Sequence, residues 1–210
     1  MKRRWTILSL ASISALILTG LVLIIARADP GQLYATPGGT GDCSTWANAC
    51  DLQTALATAT AGDEIWVAAG THQPTTDTLR TATFELKPGV ALYGGFAATE
   101  TLRTERDWEA NVTILSGDIG TPGDASDNVY HVVSSDVVTQ SAVLDGFTVT
   151  GGNADDLFNH PSGGGMNNND SSPTVANVVF EGNHALMGGG GMHNNNSSYP
   201  SVFNVVFEDN

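Results

Sequence analysis

Positive charge is scarce in this chain. Lys and Arg together number 8 against 22 Asp and Glu. Four of the eight (Lys2, Arg3, Arg4 and Arg27) fall within the first 28 residues, where no acidic residue occurs. Beyond that segment only Arg80, Lys87, Arg103 and Arg106 are positive, four against 22, which leaves a formal charge of −18. Binding to nucleic acid rests on neutralising phosphates with Lys and Arg, so nucleic acid is not an expected partner. Acidic polysaccharides are repelled for the same reason. Catalytic signatures are also missing: the sequence holds no Gly-x-Ser-x-Gly elbow and no phosphate loop. The five histidines, His72, His131, His160, His184 and His193, show no metal-ligand spacing. Cysteine is nearly absent. Cys43 and Cys50 are the only two, and a metal site built on them would need at least two further ligands that the neighbouring sequence does not offer. The expectation is a local disulfide, with no metal, cofactor-binding or catalytic site.

The compartment is set by the N-terminus. A basic start is followed by an apolar run from Trp5 to Ala26 and by the small-x-small pattern Ala26-Arg27-Ala28. That order predicts a secretory signal over residues 1–28, cleaved after Ala28. An uncleaved anchor is the other reading, because about 20 apolar residues span a bilayer. Either one places the remainder outside the cell, secreted or at the surface, where a Cys43–Cys50 disulfide is allowed. Closing so short a loop is worth about 2–3 kcal/mol in the chain-entropy picture.

The second half of the chain is dominated by a repeat. GGGMNNNDSSPTVANVVFEGN runs from Gly163 to Asn183, and GGGMHNNNSSYPSVFNVVFEDN from Gly189 to Asn210. Met166 corresponds to Met192, 26 residues on; after the extra Tyr199 the offset is 27, as for Asn177 with Asn204 and Phe180 with Phe207. A period in this range marks a stacked-repeat architecture. The apolar runs are too short for helices and rich in Val, so each unit reads as short strands winding once round a solenoid. Stacked coils sit about 4.8 Å apart, which puts equivalent side chains over one another. Asn177 over Asn204 and Asn183 over Asn210 are then expected to form amide ladders. Strand alternation in Val178-Val179-Phe180-Glu181 points Phe180 inward. LDGFTVTGGN, Leu144–Asn153, reads as a degenerate third copy, so Phe147, Phe180 and Phe207 are expected in one inward column.

These elements resemble the Gly-Gly and Phe-x-x-Asn repeats of polymorphic outer membrane proteins. They also resemble, more widely, the secreted right-handed parallel β-helix proteins of pectin-lyase-like fold. GDEIWVAAGTH, LKPGVALYGGF and NVTILSGDI upstream are similar to the irregular first coils of such proteins. The resemblance implies an all-β, right-handed parallel β-helix, but that fold hosts lyases, hydrolases, adhesins and autotransporter passengers alike. Lyases of this fold generally use a basic residue, often with carboxylate-bound calcium, and the regular repeats here contain no Lys or Arg. Hydrolases of this fold use clustered aspartates with a His-containing motif; Asp155-Asp156 with His160 is the one pair here, without that motif.

The expected organisation is a cap region over residues 29–62, irregular coils with insertions over 63–162, and regular repeats over 163–210 that break off where a further coil is due. Asp51 is placed to cap a helix running to Ala61 and ended by Gly62, with Leu52, Ala55, Leu56 and Ala59 on one face. It should cover the apolar side chains and strand edges of the first coil. Strands are expected at Ile65–Ala68, Thr83–Leu86, Val90–Tyr93, Val112–Leu115, Val129–Val133, Ala142–Leu144 and Phe147–Val149. Insertions are expected around 71–82, 96–110 and 117–128, and a protruding loop at Asn153–Ser162. Arg103 and Arg106 are expected in ion pairs with Glu100, Glu105, Asp107 or Glu109. Asp118, Asp124, Asp127 and Asn128 offer calcium-type oxygen ligands, although an acidic surface loop is the competing reading. The expected function is that of an exported structural or adhesin-like interaction domain, with a cell-surface or carbohydrate ligand and self-association through an open C-terminal end. A carbohydrate-active enzyme fragment is the alternative.

Overall fold

The computed structural model describes residues 31–210; the expected signal segment lies outside the described residues. In chain order the strands begin with β1 (Gln32–Ala35), β2 (Glu64–Ala68), β3 (Gly70–His72), β4 (Phe84–Leu86), β5 (Ala91–Phe96), β6 (Thr113–Ser116) and β7 (Val133–Asp136). They continue with β8 (Val143–Thr150), β9 (Asn153–Ala154), β10 (Met166–Asn169), β11 (Thr174–Glu181), β12 (His184–Ala185), β13 (Met192–Asn195) and β14 (Ser201–Glu208). One α-helix, α1 (Leu52–Thr58), lies between β1 and β2. Every pairing between these strands is parallel. The largest sheet runs β1, β2, β5, β8, β11, β14; a second runs β4, β7, β10, β13; β9 and β12 form a narrow third. The chain visits these sheets in turn, so the fold is an all-β parallel solenoid, as the repeat predicts.

Pairing register and sequence repeat coincide. Met166 lies opposite Met192, and Phe180 opposite Phe207. Inward residues stack into columns through the lumen. One runs Leu33, Ile65, Leu92, Leu144, Val175, Val202. A second runs His72, Leu115, Val149, Phe180, Phe207. Phe147 does not belong to that second column, contrary to expectation. It stands opposite Val178, which in turn stands opposite Val205, while Val149 occupies the Phe place. The register of β8 is set by its backbone pairing with β11 at seven residues, and aligning by the Phe alone slips it by two. An even slip keeps the face unchanged, so Phe147 and Phe180 are both buried.

The two expected strands Ala142–Leu144 and Phe147–Val149 are one, β8, bent at Gly146 with φ 87°. Val129–Val133 is mostly not a strand. The Val129 and Tyr130 amides donate to Gly117 and Arg80, and only Val133 enters β7. β7, β10 and β13 are polar strands, and this hid them. Inside the solenoid, Ser135 Oγ donates to Asn168 Oδ1 (2.6 Å) and Asn168 Nδ2 to Asn194 Oδ1 (2.7 Å), continuing the column that begins at Leu86. β3 and β9 lie where insertion and loop were expected.

At the N-terminal end Asp51 caps α1, its carboxylate accepting from Thr54 N at 2.9 Å. Leu52, Ala55, Leu56 and Ala59 are buried, as the periodicity predicts. The helix stops at Thr58 rather than Ala61, because the Thr60 amide and hydroxyl turn to Asp63 Oδ2 (2.8 and 3.0 Å). Covering the first coil is shared between two parts. α1 packs against β1, β2 and β4, while the outer edge of β1 is paired by the Cys43–Cys50 segment: Tyr34 N donates to Cys43 O, and Cys50 N to Tyr34 O. The disulfide is formed, with the Cα atoms 4.8 Å apart. Among the described residues no helix is long and apolar enough to cross a membrane.

Candidate binding groove

Along β8, β11 and β14 the residues that face outward fall into their own columns, Asp145–Ala176–Phe203 and Thr148–Val179–Val206. Between them the backbone turns left-handed at three stacked positions, Gly146 (φ 87°), Asn177 (51°) and Asn204 (49°). Asn tolerates this conformation better than most side chains, and here it uses the resulting direction. Asn204 Nδ2 donates to Asn177 Oδ1 (2.8 Å) and Asn177 Nδ2 to Asp145 Oδ1 (2.8 Å). The expected ladder is therefore present, with a carboxylate at its foot. The second expected ladder is present too: buried Asn183 donates through Nδ2 to Asn210 Oδ1 (2.9 Å) and to Val149 O (2.9 Å).

Arg106 closes the foot of the outer ladder. Its guanidinium donates to Asp145 Oδ2 (2.7 Å) and to the Gly94 and Asp145 carbonyls (3.1 Å each). It lies 5.1 Å from the Tyr93 ring centre and 4.9 Å from that of Trp108. The pair is nearly dry, at 9% and 15% exposure. Removing one member of such a pair costs about 3–5 kcal/mol, since the other is left buried and uncompensated. Arg103 pairs with Glu64 and donates to the Tyr93 hydroxyl at 3.0 Å. Burial pushes that hydroxyl above its ordinary titration range, with the Arg103 charge acting against it. Both arginines thus form ion pairs, but with strand carboxylates instead of the loop acids expected. Three of those four acids are occupied locally: Glu100 accepts from Ala97 N, Glu105 from Thr101 N and Leu102 N, Asp107 from Glu109 N and Ala110 N.

The same arginine pins Trp108 against the sheet. A Cβ on Gly95 would come within 2.7 Å of the Trp108 backbone, so this approach requires glycine. Trp108, 36% exposed, and Val112 stand as a wall beside a groove of about 280 Å³. Thr148, Asn177, Val179 and Asn204 lie along it. An aromatic wall, an apolar stripe and amides repeating at the rung spacing suit a ligand with hydroxyl groups and apolar faces.

The other sequence-derived candidates do not converge. Asp155 pairs with Arg80 (2.7 Å), while Asp156 accepts from Phe158 N and Asn159 N in its own turn. In the acidic loop Asp118 accepts from Gly123 N, Asp124 from Ser126 N and Asp127 from Thr121 N, while Asn128 Nδ2 donates to Gly151 O. Asp127 Oδ1 and Asn128 Oδ1 are buried without a hydrogen-bond partner. Among the described residues, no three His, Cys, Asp or Glu side chains gather as a metal ligand set. Three histidines that looked unrelated do meet: His131, His160 and His193 line one small pocket. Their convergence depends on the coil register, for which their spacing in the sequence gives no signal. No family model matches the chain, and no match was found among curated proteins or among solved structures.

Proposed function

We propose that this chain is a secreted or surface-exposed β-solenoid, of the right-handed pectin-lyase-like kind with polymorphic-outer-membrane-type repeats, that acts as an adhesin-like interaction domain without a catalytic site of its own. Its ligand is an uncharged carbohydrate chain lying along the Trp108 groove. The observation that carries this reading is the groove itself, where an exposed indole stands beside stacked amides and valines repeating once per coil. A saccharide offers the matching chemistry, hydroxyls for the amides and C–H faces for the indole. The formal charge of −18 beyond residue 28 disfavours polyanions. The Cys43–Cys50 disulfide suits an oxidising compartment.

Binding of the chain to a panel of neutral oligosaccharides, followed by titration calorimetry on any hit, tests this. Trp108→Ala should weaken binding by at least about tenfold, equivalent to ~1.4 kcal/mol. Binding that is unchanged by Trp108→Ala and by Asn177→Gly would refute the groove. Pectate, polygalacturonate and alginate, with and without calcium, should give no unsaturated products or reducing ends. Turnover lost on Arg103→Ala would establish the enzyme reading instead.

A further inference from the structure

On the side of the solenoid formed by β7, β10 and β13, a second device is built from histidine. His131 is buried just before β7, and its Nδ1 lies 2.9 Å from Gly163 O. A carbonyl only accepts, so Nδ1 carries the proton. In the neutral ring Nε2 is then an acceptor, and it lies 3.0 Å from His160 Nδ1, which must donate to it. The proton arrangement is fixed in one direction, from His160 through His131 to a backbone carbonyl.

His160 belongs to the loop Asp155–Ser162. Asp156 and His160 form an antiparallel bridge there, and the tip carries Leu157 and Phe158, the latter 88% exposed. The His160 ring also stacks on Tyr130 (centroids 4.6 Å apart), over whose ring the Arg80 guanidinium lies at 4.3 Å. The loop is attached elsewhere by Arg80 to Asp155 at its start and by Met187 N to Pro161 O at its end. The charged and titratable groups around the contact are Asp156 in the loop turn, Arg80 and Asp155 through Tyr130, and His193 from β13 across the pocket.

We propose that the His131–His160 contact is an acid-sensitive clasp that holds the Leu157–Phe158 loop down at neutral pH and releases it when both rings are protonated. One added proton is accommodated. Placed on His160, it leaves Nδ1–H still donating to His131, with the Asp156 carboxylate nearby. A second proton, on His131 Nε2, removes the acceptor and sets two N–H groups head to head within a 3.0 Å contact. The Asp155 and Pro161 attachments survive, so the loop opens about its two ends while the coils stay intact. Burial, then the neighbouring His160 and His193 charges, holds the His131 ring below the ordinary histidine range, with the Gly163 carbonyl opposing. Release therefore belongs to clearly acidic conditions and not to small excursions around neutrality.

Amide hydrogen exchange on the full chain, corrected for the intrinsic pH dependence, provides the test. The His160 amide, bonded to Asp156 O, should lose protection by at least about tenfold between roughly pH 7 and pH 4, while β10 and β11 keep theirs. His131→Gln supplies a non-titrating acceptor and should abolish the step; His160→Ala should leave the loop open at both pH values. Equal protection of the native loop at both pH values, or a step that persists in His131→Gln, would overturn the proposal. Should the His131 variant fail to fold, imidazole NMR titration of the native chain decides. Midpoints for His131 and the loop amides that coincide support the clasp, and midpoints that differ reject it.

Discussion

Replacing Phe180 and Phe207 separately by Ala measures how the lumen is held together. The two rings stack face to face with centroids 5.1 Å apart. Phe180 is fully buried, covered by Val149 on one side and Phe207 on the other, whereas Phe207 is 52% exposed. Phe180→Ala removes a whole ring from a packed column and should cost about 3–5 kcal/mol. Its neighbour above is a half-exposed ring that can settle into the space, so the lower half of that range applies. Phe207→Ala gives up about half of a 1.5–3 kcal/mol burial term. Adding about 0.5–1 kcal/mol for the lost aromatic pair brings its total to ~2 kcal/mol. Solenoid stability is roughly a sum of coil and interface terms, so the two losses should also be distributed differently. Urea denaturation gives the totals, and native-state hydrogen exchange the distribution. Phe207→Ala should raise exchange in β14 alone, while Phe180→Ala should also expose β11 and β8. Equal destabilisation by the two substitutions, or a Phe180→Ala effect confined to β14, would refute the column as the cooperative element.

Asn183→Ala should cost about 2–4 kcal/mol, because it strands the Gly152 amide and the Val149 carbonyl in the interior, as a urea titration would register. His72 is buried with Nε2 3.0 Å from Ala68 O, and burial holds its ring below the ordinary range. The unfolded chain, with a His pKa near ~6.5, takes up the proton first. Its stabilising share is therefore complete above that value and is lost as pH falls toward the folded value. His72→Leu, matching Leu115 in its column, should flatten that part of the melting-temperature profile; an unchanged profile would place the titration elsewhere. The 210-residue chain should self-associate through β14, whose Val202, Phe203, Val206 and Phe207 are exposed. Light scattering checks this, and a clean monomer at high concentration would contradict it. Calcium at about 1 mM should move the melting temperature by less than ~1 °C, since the loop carboxylates are engaged by their own amides; a shift of several degrees abolished by Asp127→Asn would demonstrate a site at the two unpartnered oxygens.

The coil-on-coil architecture was legible because a solenoid converts sequence period directly into spatial register, so Met166 and Met192 or Asn177 and Asn204 need only be counted. The Asp51 cap and the Cys43–Cys50 bridge were legible because both are local. Three things were not. Phe147 fell in another column because hydrogen bonding along all of β8 outweighs a single matching side chain. The polar strands β10 and β13 carry no hydrophobic alternation, since Asn168 satisfies its amide inside the lumen through Ser135 and Asn194. The partners of Arg106, Trp108 and Asp145, come together only when the loop after β5 folds back over β8. Asp145 is 39 residues away from the arginine that neutralises it.

The outer amide ladder has a direction. Each Asn donates toward the N-terminal coils and leaves its oxygen facing the other way, until the chain of donors ends on a carboxylate that can only accept. Arg106 terminates the series there, so that end is closed to further rungs, whereas every Asn reproduces at its upper side the acceptor it was given below. A 27-residue unit duplicated beyond Asp145 would bring its own donor, meet a ready acceptor below and offer the same acceptor to the rung above. Length above this point of the solenoid is thus a variable that can change one coil at a time, while the Arg106–Asp145 pair marks the fixed foot from which the outer ladder is counted.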